Sequence, residues 1–260
     1  HLKHVSKAGT YYLRLNMQKN RALNNQYLRQ ALNLVLNKKT LTKNILSDGS
    51  TPAYNYVTPG LTTDPTTGKD FGTETQSTYR HNVAKAQVLW NKGLKQLDRS
   101  SVTLKLVSDD TTVAKNIDQF VQAAVAQNLK HAKMSVSAIP SKASGEAVTN
   151  GNYDLTYTLW LADYADPISF FDILTKNNPQ NYGHYADTVF NQQTTAAHNQ
   201  NATNTQSYWQ NMRTAAKRLN QTAAVVPLYN MTESHLVNSN LNGVSYHAVG
   251  ENDYTRAYFK

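Results

Sequence analysis

Apolar positions recur along this chain in two rhythms, every second residue in some stretches and every third or fourth in others. Each switch between them marks an element boundary. Alternation in Tyr11–Asn16 (YYLRLN) predicts a β-strand. Within Gln26–Asn37, residues Leu28, Ala31, Leu32, Val35 and Leu36 fall three and four apart, the stripe of an amphipathic helix. A second, short helix is expected from a Thr40 cap to Leu46, ended by Asp48-Gly49. From Ser50 to Thr78 the chain is rich in Thr, Pro, Gly and Asp, and an ordered but irregular excursion is expected.

The helical rhythm returns over Asn82–Leu97, with Val83, Ala86, Leu89, Trp90, Leu94 and Leu97 inward. Val102–Val107 reads as a strand, and Asp109-Asp110 with Thr111 or Thr112 opens a long helix to about Lys130. Met134–Ile139 is expected to be a strand, Lys142–Thr149 a short helix and Tyr153–Trp160 another strand. Helices follow Pro167, begin near Asp187 and run from Asn204 to Asn220; Ala223–Tyr229, His235–Val237 and the tail through Lys260 read as extended. Strands alternating with helices imply an α/β layer architecture, and Val102–Ile139 has the length of a right-handed βαβ crossover.

Composition narrows the picture. The 260 residues are 40% hydrophobic with a mean hydropathy of −0.59, and no apolar run approaches the roughly 20 residues needed to span a bilayer. The absence of cysteine removes disulfides, thiolate nucleophiles and Cys-based zinc sites, and leaves the compartment open. His1 stands without a Met or a secretory leader, so a fragment or processed product is expected. The net charge of +9 would favour polyanions, but the basic residues are dispersed. The densest group, Lys38, Lys39 and Lys43, is expected to form a solvated helix face.

Familiar catalytic patterns are missing. The eight histidines are scattered, and no HExxH, GxSxG, GxxxxGK(S/T) or GxGxxG occurs. His1 and His4 lie on what should be a frayed end. One segment stands out: Tyr153–Phe171 (YDLTYTLWLADYADPISFF), a β-prone run that ends in Asp163, Asp166 and Pro167. Asp166-Pro167 suits a helix start, N-cap followed by N1. Nothing local asks for Asp163, which falls just past a strand end, where open α/β sheets place ligands. A carboxylate there needs a positive visitor, and the amino group of a peptide is the expected one. Trp160, Tyr157 and Tyr164 flank it. Alternation assigns Tyr157 to the face of Tyr153, a core residue, and Trp160 to the opposite face, where it could wall a ligand and exclude water.

The same segment, through WLADYADP, closely resembles the W-x-A-D-Y-x-(D/E)-P region of family 5 of the bacterial extracellular solute-binding proteins, the oligopeptide-binding proteins of ABC importers. YYLRLN followed by YLRQALNLVLNKKTLTKNIL resembles that family's strand and R-x-A-L helix. YRHNVAKAQVLW is a weaker counterpart of its Y-(D/N)-P-E-K-A helix, and AAVVPLYN with HLVNSNLNGV resembles a late strand and its sequel. The order and spacing hold over nearly all 260 residues.

The resemblance implies an α/β fold, a mixed sheet flanked by helices, forming one lobe of a two-lobed periplasmic-binding-protein-like (type II) architecture. Residues 1–10 would cross from an N-terminal lobe, 11–245 form the C-terminal lobe and 246–260 return toward the other. It implies a non-catalytic receptor that takes an oligopeptide as an added β-strand and delivers it to a membrane permease. By position, Asp163 matches the acid that pairs with the peptide α-amino group, an interaction worth roughly 1.5–3 kcal/mol when shielded. Leu159, Trp160 and Leu161 match the stretch whose backbone meets the peptide, and Tyr164 matches the aromatic after the acid. Tyr157 and Val148 stand in the region where some relatives carry arginines for the peptide carboxylate. Arg29 matches a helix arginine with a structural role.

No cofactor, metal or nucleic acid is implied, and a monomer is expected. The expected location is the extracellular face of the bacterial cytoplasmic membrane, lipid-anchored through a preceding region, or the periplasm where an outer membrane exists. Dipeptides, peptide pheromones or other amine-bearing solutes are alternative ligands within the same family. From other classes, a basic envelope-adhesion module and a hydrolase using Asp163 and Asp166 remain as alternatives.

Overall fold

Strand β1 (Leu2–Leu15) organises the molecule, whose computed structural model describes residues 1–260. The other strands are β2 (Thr51–Pro52), β3 (Thr63–Asp64), β4 (Lys69–Asp70), β5 (Val102–Asp109), β6 (Ala132–Ile139), β7 (Leu155–Leu161), β8 (Val225–Leu236), β9 (Leu241–Asn242) and β10 (Tyr258–Phe259). Six of them form one sheet in the order β2-β8-β1-β7-β5-β6. Pairing is antiparallel across β2, β8, β1 and β7, and parallel across β7, β5 and β6, so the sheet is mixed, as expected.

Alternation along β1 decides what each face of the sheet holds. Leu13 and Leu15 enter one core, and Ala8 and Tyr12 enter the other. The first core is covered by α1 (Gln26–Val35), α4 (Val83–Gln96) and α5 (Thr112–Asn128), with α2 (Lys38–Thr40) and α3 (Phe71–Glu74) falling in the connections. It buries Leu28, Leu32, Trp90, Ile117 and Val121 against Leu104 and Leu106 of β5. The second is covered by α7 (Ile168–Phe171), α8 (Thr188–His198) and α9 (Thr205–Thr222), while α6 (Ser141–Thr149) links β6 to β7. It is strongly aromatic, with Tyr12, Tyr56, Phe71, Phe170, Phe171 and Phe190 all fully buried. Edge-on contacts such as Tyr56 to Phe170, centroids 5.2 Å apart, fix the ring directions.

The expected βαβ unit is present: β5, α5 and β6, with β5 and β6 paired in parallel from Val102/Ala132 to Asp109/Ile139. After β6 the chain returns through α6 to place β7 on the other side of β5. Strand order therefore reverses at β5, and β5 and β7 point the same way at that reversal. Such a switch point leaves a crevice beyond the strand ends.

Four expectations need correction. His1 and His4 are not on a frayed end: β1 starts at Leu2, paired with Leu236 of β8, and the His1 amino terminus donates to the Val237 carbonyl at 2.6 Å. The second helix is capped by Asn37, whose side chain accepts from the Thr40 N–H at 3.2 Å; Thr40 itself is already helical. Lys38 is not on a solvated face: it is 3% exposed and its ammonium donates to Asn33 Oδ1 at 2.9 Å, whereas Lys39 and Lys43 are exposed. The strand expected from Tyr153 begins at Leu155, because the chain bends at Asp154, whose carbonyl receives the Asn16 N–H. Tyr153 consequently lies outside the alternation, buried with its hydroxyl donating to the Tyr182 carbonyl at 2.6 Å. The irregular excursion is pinned by Asp64, fully buried, which takes the Thr66 N–H and an ion pair from Arg213 of α9. At its far end β1 bulges from β8 between Ser6 and Thr10, and the tail is fastened there: Lys7 Nζ donates to the carbonyls of His247 and Gly250.

Candidate binding site

Strand β7 has one satisfied edge and one open edge. Toward β1 it pairs along its whole length, Leu155 with Leu15 through Leu161 with Gly9. Toward β5 it pairs only at Leu155 and Thr156. The parallel ladder stops there because β5 stays with β6 to Asp109 while β7 follows β1. Just past β7, Ala162 N–H donates to the Ala8 carbonyl at 2.8 Å. In an antiparallel ladder alternate residues share one bonding direction, so Trp160 and Thr158 also bond to β1. The backbone groups of Leu159 and Leu161 therefore face the open edge.

Gly9 shapes this place from the neighbouring strand. A Cβ on it would lie 2.6 Å from Leu161 Cδ2 and 3.3 Å from Leu159 Cδ1, so both leucine side chains lean across the glycine. Trp160 points to the opposite face, as alternation implies, half-buried against the aromatic core with an indole N–H that finds no acceptor within the chain.

Beyond β7 the chain turns sharply. The Asp163 N–H donates to Ser169 Oγ at 2.9 Å, and Ser169 is 3% exposed, which fixes the backbone of Asp163. The Asp163 side chain itself is exposed, and no hydrogen bond or ion pair from the rest of the chain engages its carboxylate. Asp166 takes the structural part expected of it. Its Oδ1 accepts from the Ile168 N–H at 2.9 Å and from the Tyr208 hydroxyl at 2.5 Å. Burial pushes its carboxyl above the ordinary value, with those two donors opposing. No hydrogen bond links Asp163 and Asp166 into a dyad, and one of the two is already committed to the fold.

Tyr164 is half in solvent beside these acids. Burial, then the carboxylates of Asp172, Asp166 and Asp163, raise its hydroxyl above its ordinary value. Three acids thus shape the field at the end of β7 in a chain that is strongly basic as a whole. Such a field favours a cation.

The structure gathers Leu159, Trp160, Leu161, Asp163 and Tyr164 at one end of β7 and sets Tyr157 apart. Tyr157 stacks on Tyr11 with centroids 5.1 Å apart, and its hydroxyl bonds that of Tyr229. Burial, then the Tyr229 phenol, hold that hydroxyl protonated. Its partners Tyr11 and Tyr229 belong to the first core, on the side opposite Trp160. Sequence reasoning missed Ser169, Gly9 and Asp172, none of which carries a local signal. Arg29, taken as structural, is buried and donates to the carbonyls of Leu23, Asn24 and Thr222.

Residues 2–182 match the family model described as "Bacterial extracellular solute-binding proteins, family 5 Middle". The chain is 30% identical over 246 residues to a dipeptide-binding protein of Lactococcus lactis subsp. cremoris, covering 92% of this chain and 44% of that protein. It superposes on the substrate-binding domain of an oligopeptide ABC transporter from Bacillus anthracis with a TM-score of 0.90, at 28% identity, covering 99% of this chain and 51% of that one. The structure of Listeria monocytogenes OppA bound to peptide gives a TM-score of 0.87 at 27% identity, covering 99% and 50%. The chain spans about half the length of the relatives it matches.

Proposed function

The chain belongs to family 5 of the bacterial extracellular solute-binding proteins, and from that premise we propose that it forms one lobe of a receptor that captures oligopeptides in an extended conformation. The family is one of binding proteins rather than enzymes, with a type II periplasmic-binding-protein-like fold of which this chain is a part. The peptide adds as a strand along the open edge of β7, its main chain meeting the free backbone groups of Leu159 and Leu161. Its α-amino group reaches Asp163. Trp160 and Tyr164 wall that end, and Tyr157 borders the inner end as a neutral aromatic.

A single observation carries this reading: an unpaired strand edge that ends on an exposed carboxylate without a partner. Main-chain recognition gives affinity without reading side chains, and the charge pair sets the register. A second lobe would cover the peptide from the other side, with residues 1–10 and 246–260 leading to it. Delivery to an ABC permease at the extracellular face of the cytoplasmic membrane, or in the periplasm, completes the proposed role; a lipid anchor outside this chain would hold the receptor there.

The test is calorimetry on the full-length protein with a short peptide, free or acetylated at its amino terminus. Acetylation, or Asp163→Asn, should weaken binding at least tenfold, about 1.4 kcal/mol. Equal affinities for free and acetylated peptide would remove the role given to Asp163.

A further inference from the structure

A cavity of about 290 Å³ lies where α1 ends and the chain crosses Tyr54 and residues 79–81, and none of its lining belongs to β7 or the turn that follows. Lys38 forms part of it, 3% exposed. Its ammonium has three donors and a single protein acceptor, Asn33 Oδ1, and no carboxylate pairs with it. Burial, reinforced by the nearby Arg80 charge, pushes Lys38 down to about 7.

Arg80 is its neighbour. The guanidinium carbon sits 3.8 Å from the Tyr54 ring centroid, and Lys38 Nζ is 5.5 Å from the same centroid. Arg80 donates only to neutral oxygens, the carbonyls of Ser77 and Tyr79 and the Gln76 side chain. Lys39, Tyr79 and His81 are also in the lining, and neither Asp nor Glu is present. Two cations held around one ring without a counter-ion are mutually unfavourable, the more so when one is buried. Oxygen acceptors of negative charge would relieve both.

We propose that this cavity is a binding site for a small oxyanion, held by the Lys38 ammonium and the Arg80 guanidinium, separate from the peptide edge. A planar guanidinium fork beside a point-like ammonium suits a carboxylate or a tetrahedral oxyanion. Occupancy favours the charged form of Lys38, so binding above neutral pH takes up a proton.

The probes are sodium sulfate, which does not titrate in this range, and sodium acetate, each against sodium chloride at equal ionic strength. Sulfate also stabilises proteins nonspecifically, so thermal shifts are not diagnostic. Isothermal calorimetry of the full chain at pH 8 in two buffers of different ionisation enthalpy should show saturable binding with proton uptake. NMR should show the His81 ring and Lys38 side-chain signals moving along the same binding curve. Arg80→Gln should weaken binding at least tenfold, and Lys38→Met should abolish the proton uptake. Binding of sulfate alone assigns a tetrahedral oxyanion; binding of both probes admits carboxylates. No saturable response of the wild-type chain to either probe, up to tens of millimolar, would overturn the proposal whether or not the variants fold.

Discussion

Ser169→Ala is the most revealing change that leaves the proposed ligand contacts untouched. The Ser169 hydroxyl is buried and accepts one hydrogen bond, from the Asp163 N–H at 2.9 Å. Removing it deletes one intramolecular hydrogen bond, a net loss of about 1 kcal/mol. The Asp163 N–H is part-buried, so water offsets some of its loss, and the stability change should stay below about 2 kcal/mol. The functional effect has a different origin. A looser Asp163 must be ordered when the peptide amino group arrives, and fixing one backbone residue costs about 1–2 kcal/mol at most. Affinity for a free peptide should therefore fall measurably, by no more than roughly five- to thirtyfold. Affinity for the acetylated peptide, which does not use Asp163, should hardly move. Urea unfolding gives the first quantity and calorimetry the second. An unchanged affinity for free peptide in a variant that unfolds more easily would refute the idea that this bond presents the carboxylate.

Two further changes test the frame and the second cavity. Arg29→Lys should destabilise the chain by about 2–4 kcal/mol in urea unfolding, because a compact ammonium cannot span the positions from which Nε, Nη1 and Nη2 of the guanidinium reach the carbonyls of Leu23, Asn24 and Thr222; a loss under about 0.5 kcal/mol would contradict that. For Lys38, the folded value near 7 lies below the ordinary 10.5, so between those values the unfolded chain binds more protons and stability should rise with pH. Below pH 7 this group adds no slope. Lys38→Met should remove the part of the rise seen in urea midpoints between pH 7 and pH 9; identical slopes in both proteins would show that burial does not perturb this amine.

What the sequence conveys well is whatever its periodicity encodes. The stripe at Leu28, Ala31, Leu32 and Val35 does face the first core, and the β5–α5–β6 unit forms as its length implies. WLADYADP places an acid past a strand end, and the structure leaves that acid exposed without a partner. Contacts distant in sequence were not legible. Lys38 looks like part of a solvated cluster until Asn33 and Tyr54 close over it. Ser169 meets Asp163 only because the chain doubles back after Pro167. The open edge is the clearest case: no residue of β7 announces that β5 will leave it after Thr156, since that depends on how far β6 and β1 hold their own partners. The bend at Asp154 likewise depends on Asn16, just past the end of β1.

Amide hydrogen exchange, resolved to single residues of β7 in the full-length protein with and without saturating peptide, tests strand addition most directly. The Leu159 and Leu161 N–H groups face the open edge and should become protected at least tenfold, while those of Thr158 and Trp160, already directed at β1, should change little. If Leu159 and Leu161 exchange equally fast with the ligand bound, the peptide is not held along this edge.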